Sequence, residues 1–474
     1  MKGEEIGAGE VLEAAHELGW HLPPDLNDRI TEAIYAESSA IAARRVRRRE
    51  GSFRLAWQET LDRVLTGRWT GIPVMLMLLG AVLWITIVGA NYPSGMLSEL
   101  LVDRGWNFLR DLAASVGVPA WLRGILVDGM YLTTAWVVSV MLPPMAIFFP
   151  LFTLMEDFGY LPRVAFNLDR LFKAAGAHGK QALTMSMGLG CNAAGVIACR
   201  IIDSPRERLI AIVTNNFALC NGRWPTQMLI ASIFIGGLFS PVVGGAAAAG
   251  AVLAVAGLGF VLTWIVSLVL SRTVLRGEAS TFSLELPPYR PPNILRTLYT
   301  SLIDRTIFVL FRAVVFALPA GAIIWLIANV HVGGQSLAHW LVGALDGPAW
   351  WLGLNGVILV AYIVAIPANE IVIPTILMLT VLVTGQVGAG PGVMFEVDET
   401  DRFRQLLEAG GWTALTGICL MIFSLCHNPC STTIFTIWRE TRSFKWTALA
   451  TLLPFVPGIL LCASLAAGWR AFLH

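Results

Sequence analysis

Long runs without a charged side chain dominate this sequence. No Asp, Glu, Lys or Arg occurs from Trp69 to Ser98, from Ala313 to Leu345 or from Gly411 to Trp438, and Arg223 is the sole such residue between Ile210 and Ser271. A bilayer crossing takes about 20 apolar residues. These windows show few polar faces at helical spacing, which a helix on a water-soluble core would carry. The pattern predicts an all-α, polytopic membrane protein with spans near 70–91, 126–155, 208–237, 244–271, 307–329, 349–386, 411–437 and 446–470. Residues 96–115 read as a short amphipathic segment, and Pro143-Pro144 as a kink in the second span.

Several apolar stretches are interrupted. Residues 181–199 are short for a span and hold Gly188, Gly190 and Gly195, which points to a half-helix or re-entrant segment. Breaks are expected at 220–225 and 426–430, and at Pro367 and Pro374 around Asn369-Glu370. The polar parts frame these elements. Residues 1–66 read as a short soluble helical region, with a helix starting at Pro23-Pro24-Asp25 and ending in Arg44, Arg45, Arg47, Arg48 and Arg49. Basic residues before a first span hold that end in the cytoplasm. The chain then divides into a membrane half (67–271), a basic, Pro-rich linker (272–305) on the same side, and a second half (306–474). The mixed-charge segment 156–180 is placed on that side too. The acidic segment 396–408 reads as a loop outside the membrane, on a side left open.

Composition agrees. The 474 residues are 56% hydrophobic and 14% charged, with a mean hydropathy of +0.67, against about 25% charged in soluble proteins. A net charge of +1 gives no case for nucleic acid. Seven cysteines, an odd number with several at membrane depth, argue for free thiols. The polar, acidic start is no signal peptide.

The candidate chemistry sits at the breaks. Phe217-Ala218-Leu219-Cys220-Asn221-Gly222-Arg223 and Phe423-Ser424-Leu425-Cys426-His427-Asn428-Pro429 read alike, which suggests two halves folded alike around one site. Cys191-Asn192 and Asn369-Glu370 lie upstream of each. Cys191, Asn192 and Cys220 put soft and amide donors beside exposed backbone. Glu370 is a carboxylate in apolar sequence, which marks function by default; its structural alternative is an ion pair with Arg223 or Arg312. Cys426, His427 and Cys430 carry thiol and imidazole groups suited to first-row transition metals, with both thiols on one helical face if the helix is continuous. Arg223 reads as a cap for freed carbonyls, and Cys199, Cys419 and Cys462 as packing residues. His178-Gly179-Lys180 fails the spacing of a phosphate loop. No hydrolytic triad or His-Glu-x-x-His is present, so the chain reads as no enzyme.

These residues resemble the membrane domain of FeoB-type ferrous iron transporters over about 60–470. The resemblance rests on Glu156-Asp157-x-Gly159-Tyr160, Ala165-Phe166-x-x-Asp169-Arg170, His178-Gly179-Lys180, Gly190-Cys191-Asn192, Glu285-Leu286-Pro287-Pro288-Tyr289-Arg290, Pro429-Cys430 and Arg439-Glu440-Thr441-x-Ser443-x-Lys445-Trp446. It implies two Gate repeats around a path for Fe2+ as the transported substrate, with Cys191, Asn192, Cys220, Glu370 and Cys430 at the matching positions and no permanently bound cofactor. It implies a bacterial inner membrane. The chain departs from the family pattern at Ala193-Ala194, where Pro is usual, at Asn369, where Lys is common, and at His427, an extra imidazole. Residues 1–66 resemble the helical segment that follows the family's GTPase domain, and no P-loop precedes them. That implies a separate cytosolic GTPase partner or transport without one. The lipid bilayer and a divalent metal ion are the remaining partners, and a homo-oligomer is compatible. A membrane anchor or sensor, a carrier of a nucleoside-like solute, and transport of Mn or Zn are the alternatives.

Overall fold

A computed structural model describes residues 26–45, 53–67, 69–277, 289, 293–385, 394 and 400–473. The expected helix start at Pro23-Pro24-Asp25, Arg47 to Arg49, most of the linker and Glu396 lie outside the described residues. The rest is almost entirely helix. The N-terminal helices are α1 (Leu26–Arg45) and α2 (Phe53–Leu65). α3 (Gly71–Ser98) carries on through a π-helical turn to Ser115, and α4 (Leu132–Phe158) lies within a second continuous run, Ala120–Phe158. The amphipathic segment near 96–115 is thus the far end of the first span. The π turn at Glu99–Gly105 joins apolar and polar text without a break. Pro143, Pro144 and Pro150 all lie inside α4, which ends where Gly159 takes a left-handed φ of 88°.

An amphipathic helix, α5 (Tyr160–Ala174), leads into the first interrupted region. α6 (Gln181–Gly190) and α7 (Asn192–Ala198) are two arms separated by Cys191, whose φ/ψ of −155°/121° is extended. They form a re-entrant hairpin: Lys180 Nζ donates to Ile201 O at 2.9 Å, tying one foot to the other. α8 (Pro205–Thr214) and α9 (Trp224–Ile230) are the arms of a broken crossing. The span expected at 208–237, with its break at 220–225, is accordingly two short helices with open backbone between. α10 (Pro241–Arg272) is uninterrupted.

The second half repeats the plan. α11 (Phe308–Asn329) continues the run from Ile294. A small hairpin, β1 (His331–Val332) with β2 (Gln335–Ser336), precedes α12 (Leu337–Trp351). α12 and α13 (Gly356–Val364) meet at 111°. α13 and α14 (Val372–Thr384) form the second hairpin, packed on one another with a 3-10 turn at Asn369–Ile371 near the tip. The expected broken span at 349–386 is this hairpin, and α12, absent from the expected spans, stands before it. α15 (Thr400–Ala409) packs on α14. The second broken crossing is α16 (Ala414–Cys426) and α17 (Ser431–Thr441), followed by α18 (Phe444–Leu452) and α19 (Phe455–Leu473).

Among the described residues six helices are long and apolar enough to cross a membrane. One end of the molecule gathers polar ties. Asp62 of α2 accepts from Arg163 Nε at 2.9 Å and from the Tyr289 hydroxyl at 2.7 Å. The buried Arg163 guanidinium lies 4.0 Å from the centre of the Tyr289 ring. So α2, α5 and Tyr289 of the linker meet at one end. The feet of the first hairpin stand there as well. The second hairpin enters from the opposite end. Arg470, at the far end of the last crossing, donates to Trp350 O just before α13. The repeats are therefore inverted in topology.

Candidate functional site: a thiol-lined cavity between two repeats

The hairpin tips and the crossing breaks converge. In the first repeat the Asn221 N–H donates to Gly190 O at 3.1 Å, joining break to tip; in the second the Ser431 N–H donates to Ile366 O at 2.9 Å. Ala368, at the second tip, has φ/ψ of −152°/125°, nearly the values of Cys191 at the first. Two unrelated apolar sequences would have no reason to share this backbone path.

Between these elements lies a cavity of about 30 Å³. Its lining includes Cys191, Asn192, Cys220, Glu370 and Cys430, with Asn369, Thr432 and Thr433, and Met141 and Met145 of α4 behind. A single water needs roughly 10–15 Å³ by this measure, so the space suits a small hydrated or partly dehydrated ion. Cys191, Cys430 and Glu370 keep some exposure in an otherwise buried layer. Among the described residues no three of His, Cys, Asp and Glu are gathered tightly enough to form a ready-made metal cluster. The cavity offers donors along its wall.

The backbone contributes charge. Each repeat sends two second arms away from the cavity: α7, α9, the turn leading to α14, and α17. None of these starts has a side-chain cap. Three of the four first arms begin elsewhere and are capped, by Ser204, Asn355 and Thr413. These starts adjoin the cavity, because Cys191, Gly222, Ala368 and Cys430, which precede them, line it. Glu370 and the three cysteines lie beside these helix starts.

Arg223 braces the site from the first repeat. It is 1% exposed. Its Nη1 donates to Asn216 O at 3.0 Å and Leu425 O at 2.9 Å, and its Nη2 to His427 O at 3.4 Å and Asn428 O at 3.3 Å. The expected capping role holds, with most of the capped carbonyls in the other repeat. Among the described residues no ion pair joins Glu370 to Arg223 or Arg312. The carboxylate lies against Gly222, where any Cβ would collide with it.

Comparison with known proteins places this geometry. The Gate model, described as nucleoside recognition, matches twice, at 138–234 and 310–444. A model described as the ferrous iron transport protein B C terminus matches 252–304. The chain carries Gate and FeoB C-terminal domains. The Fe(2+) transporter FeoB of Staphylococcus aureus (strain MSSA476) is 28% identical over 416 residues, 85% of this chain and 57% of that protein. The Fe(2+) transporter FeoB of Synechocystis sp. is 27% identical over 402 residues, 84% of this chain and 60% of its own length. A Porphyromonas gingivalis Fe(2+) transport protein A/Fe(2+) transporter FeoB fusion protein is 24% identical over 437 residues, 83% of this chain and 49% of the fusion. The chain thus spans about half to three-fifths of the length of these relatives. No solved structure matches it.

Both Gate matches end within or just past the broken crossings, so the internal repeat read from the paired Cys motifs is a repeat of this domain. Of the expected site residues, five line the cavity and two do not. Cys426 closes α16, fully buried, with its Cβ against Gly458. His427 is turned away from the cavity: its Nδ1 is 2.8 Å from Ser424 O, its Nε2 is 3.0 Å from Asn369 Oδ1, and its ring packs 4.6 Å from that of Tyr362. Both ring nitrogens are engaged, so in this conformation the imidazole is a brace. The one-turn argument for Cys426 and Cys430 fails because residues 427–430 are not helical. Thr432 and Thr433 went unread in the sequence, since hydroxyls in an apolar run usually bond their own helix. Cys199, Cys419 and Cys462 are packing residues as expected, and all seven cysteines are free.

Proposed function

We propose that this chain forms the membrane path of a divalent transition-metal carrier, with ferrous iron as its cargo. One observation supports the reading above the others: three thiols and a carboxylate, contributed by both repeats, face a single cavity at the level of the helix breaks. Sulfur suits borderline and soft cations, while Mg2+ and Ca2+ want oxygen throughout. A dehydrating cation would trade water for Cys191, Cys220, Glu370 and Cys430, releasing a proton from each thiol it binds. Open-walled coordination keeps the ion labile, as permeation requires. The names of the FeoB relatives point the same way. A nucleoside-like cargo is less well served, because among the described residues no aromatic side chain lines the cavity to stack a base.

The bacterial inner membrane is the proposed setting, with the N-terminal helices and the linker on the cytoplasmic side, and a GTPase acting on that end is the proposed source of control. The test is Fe2+ uptake into liposomes carrying the whole chain. Wild type should take up Fe2+, and Cys220→Ser, Cys430→Ser and Glu370→Gln should each lower uptake at limiting Fe2+ by about tenfold or more. Undiminished uptake in all three variants would discard the thiol path. No uptake by wild type, with a cytosolic protein retained on the chain, would favour an anchor instead.

A further inference from the structure

Four amide side chains of the first repeat share one arrangement, with nitrogen bonded and oxygen bare. Asn215 Nδ2 donates to Asn192 O at 2.9 Å, Asn216 Nδ2 to Ala450 O at 2.8 Å, and Gln227 Nε2 to Met421 O at 2.8 Å. Backbone carbonyls only accept, so these three amides can face one way only. Gln181 Nε2 donates to Thr214 Oγ1 at 2.7 Å and to Ser267 Oγ at 3.0 Å. Thr214 already gives its own proton to Ile210 O at 2.8 Å, which fixes Gln181 too. All four residues are at most 2% exposed. Among the described residues none of the four amide oxygens has a hydrogen-bond partner.

Bare carbonyl oxygens in an apolar interior call for a cation or for water. Two of them lead away from the thiol cavity. Asn215 holds the backbone carbonyl of Asn192, a lining residue, and its amide fills the space left by Gly188 and Gly195 on facing arms of the hairpin. Gln181 stands at the hairpin's foot and is bonded to Thr214, the neighbour of Asn215. Beyond Gln181 come Lys180 and the polar end of the molecule.

We propose that the side-chain oxygens of Asn215 and Gln181 form a second, oxygen-donor station for the permeating divalent cation, between the thiol cavity and the end that carries the N-terminal helices. This rests on the transport reading and adds the step after the thiols. Sulfur holds a borderline cation more firmly than a neutral amide oxygen does. A passage from sulfur to oxygen gives the ion a way out of a site that would otherwise retain it. The oxygens serve either by direct contact or by accepting from the ion's own waters.

The test compares Fe2+, Mn2+ and Cd2+ flux through the whole chain in liposomes. Gln181→Met keeps the length and removes the oxygen; Gln181→Glu keeps an oxygen. Gln181→Met should lower saturated Fe2+ and Mn2+ flux by about tenfold with KM little changed, should lower Cd2+ flux less, and Gln181→Glu should restore Fe2+ flux. Wild-type flux of all three ions in Gln181→Met, with Cys220→Ser inactive, overturns the oxygen station and leaves the thiol path standing. No Fe2+ flux through wild type removes the transport reading itself. Mn2+ binding, followed by its paramagnetic resonance on wild type with thiols blocked by N-ethylmaleimide, gives a readout that does not depend on the Met variant folding. A bound Mn2+ that Asn215→Ala loses supports the station, and no bound Mn2+ overturns it.

Discussion

Arg223 shows what a single residue can and cannot reveal in advance. A lone charge in 62 apolar-dominated positions announces itself, and its role as a carbonyl cap follows from the helix break beside it, which frees carbonyls. Which carbonyls it caps was illegible, because the partners lie about 200 positions away in the other repeat. His427 misled for a related reason. Imidazole beside two thiols has a metal-ligand composition, but Ser424 and Asn369 occupy both nitrogens, and the second of those contacts depends on the fold. The consequence of the Arg223 brace is measurable. Arg223→Met strands the carbonyls of Asn216, Leu425, His427 and Asn428, and each buried orphan costs about 1–3 kcal/mol. A loss on the order of 3 kcal/mol or more is expected, read as a lower midpoint of thermal unfolding in detergent, with Arg223→Lys intermediate. Equal stability of the Met variant would contradict the brace.

At the scale of the element, the re-entrant hairpin of α6 and α7 was foreseeable from length and glycine content, whereas its glycines' purpose was not. Gly195 makes room for Asn215: a Cβ there would lie 2.6 Å from both amide atoms and 2.8 Å from Thr184 O. Overpacking of this kind typically costs about 1–3 kcal/mol. Gly195→Ala should lower thermal stability within that range, and an unchanged unfolding midpoint would mean the arms separate without strain. The hairpin's feet are also pinned by Lys180 and Asp203, 3.0 Å apart. The Lys180 ammonium holds the Asp203 carboxyl below its usual range, so this tie is present at neutral pH and lost as pH falls through the lowered value. Asp203 is mostly exposed, so the tie is a weak one. Span boundaries proved harder to read than breaks. A π turn can carry a helix through polar residues, as at Glu99–Gly105, while open backbone can cut an apolar run, as at 218–223.

Across the whole molecule, the two repeats were legible because Cys-bearing motifs recur, and their inversion was not, because parity depended on how 349–386 behaves. The repeats also meet beyond the cavity. α7 follows Cys191 and α17 follows Cys430; they pack side by side, and Arg200, just past the first, forms a two-pronged ion pair with Glu440 near the end of the second, at 2.8 and 2.6 Å. Arg200 is 60% exposed and Glu440 10%. A double-mutant cycle should give a coupling of about 0.2–1 kcal/mol, weaker at high salt. Arg200→Glu should lower the unfolding midpoint and Glu440→Arg should restore it in the same chain. Strict additivity of the two changes would show that the pair binds nothing together.

Opposite entry of the two hairpins has one further meaning. Each repeat is a template for its counterpart turned upside down, so every residue at a tip or a break has an equivalent place in the other lobe. At the tips that equivalence pairs the thiol of Cys191 with the methyl of Ala368, so two lobes of like backbone bring unlike chemistry to the space they share.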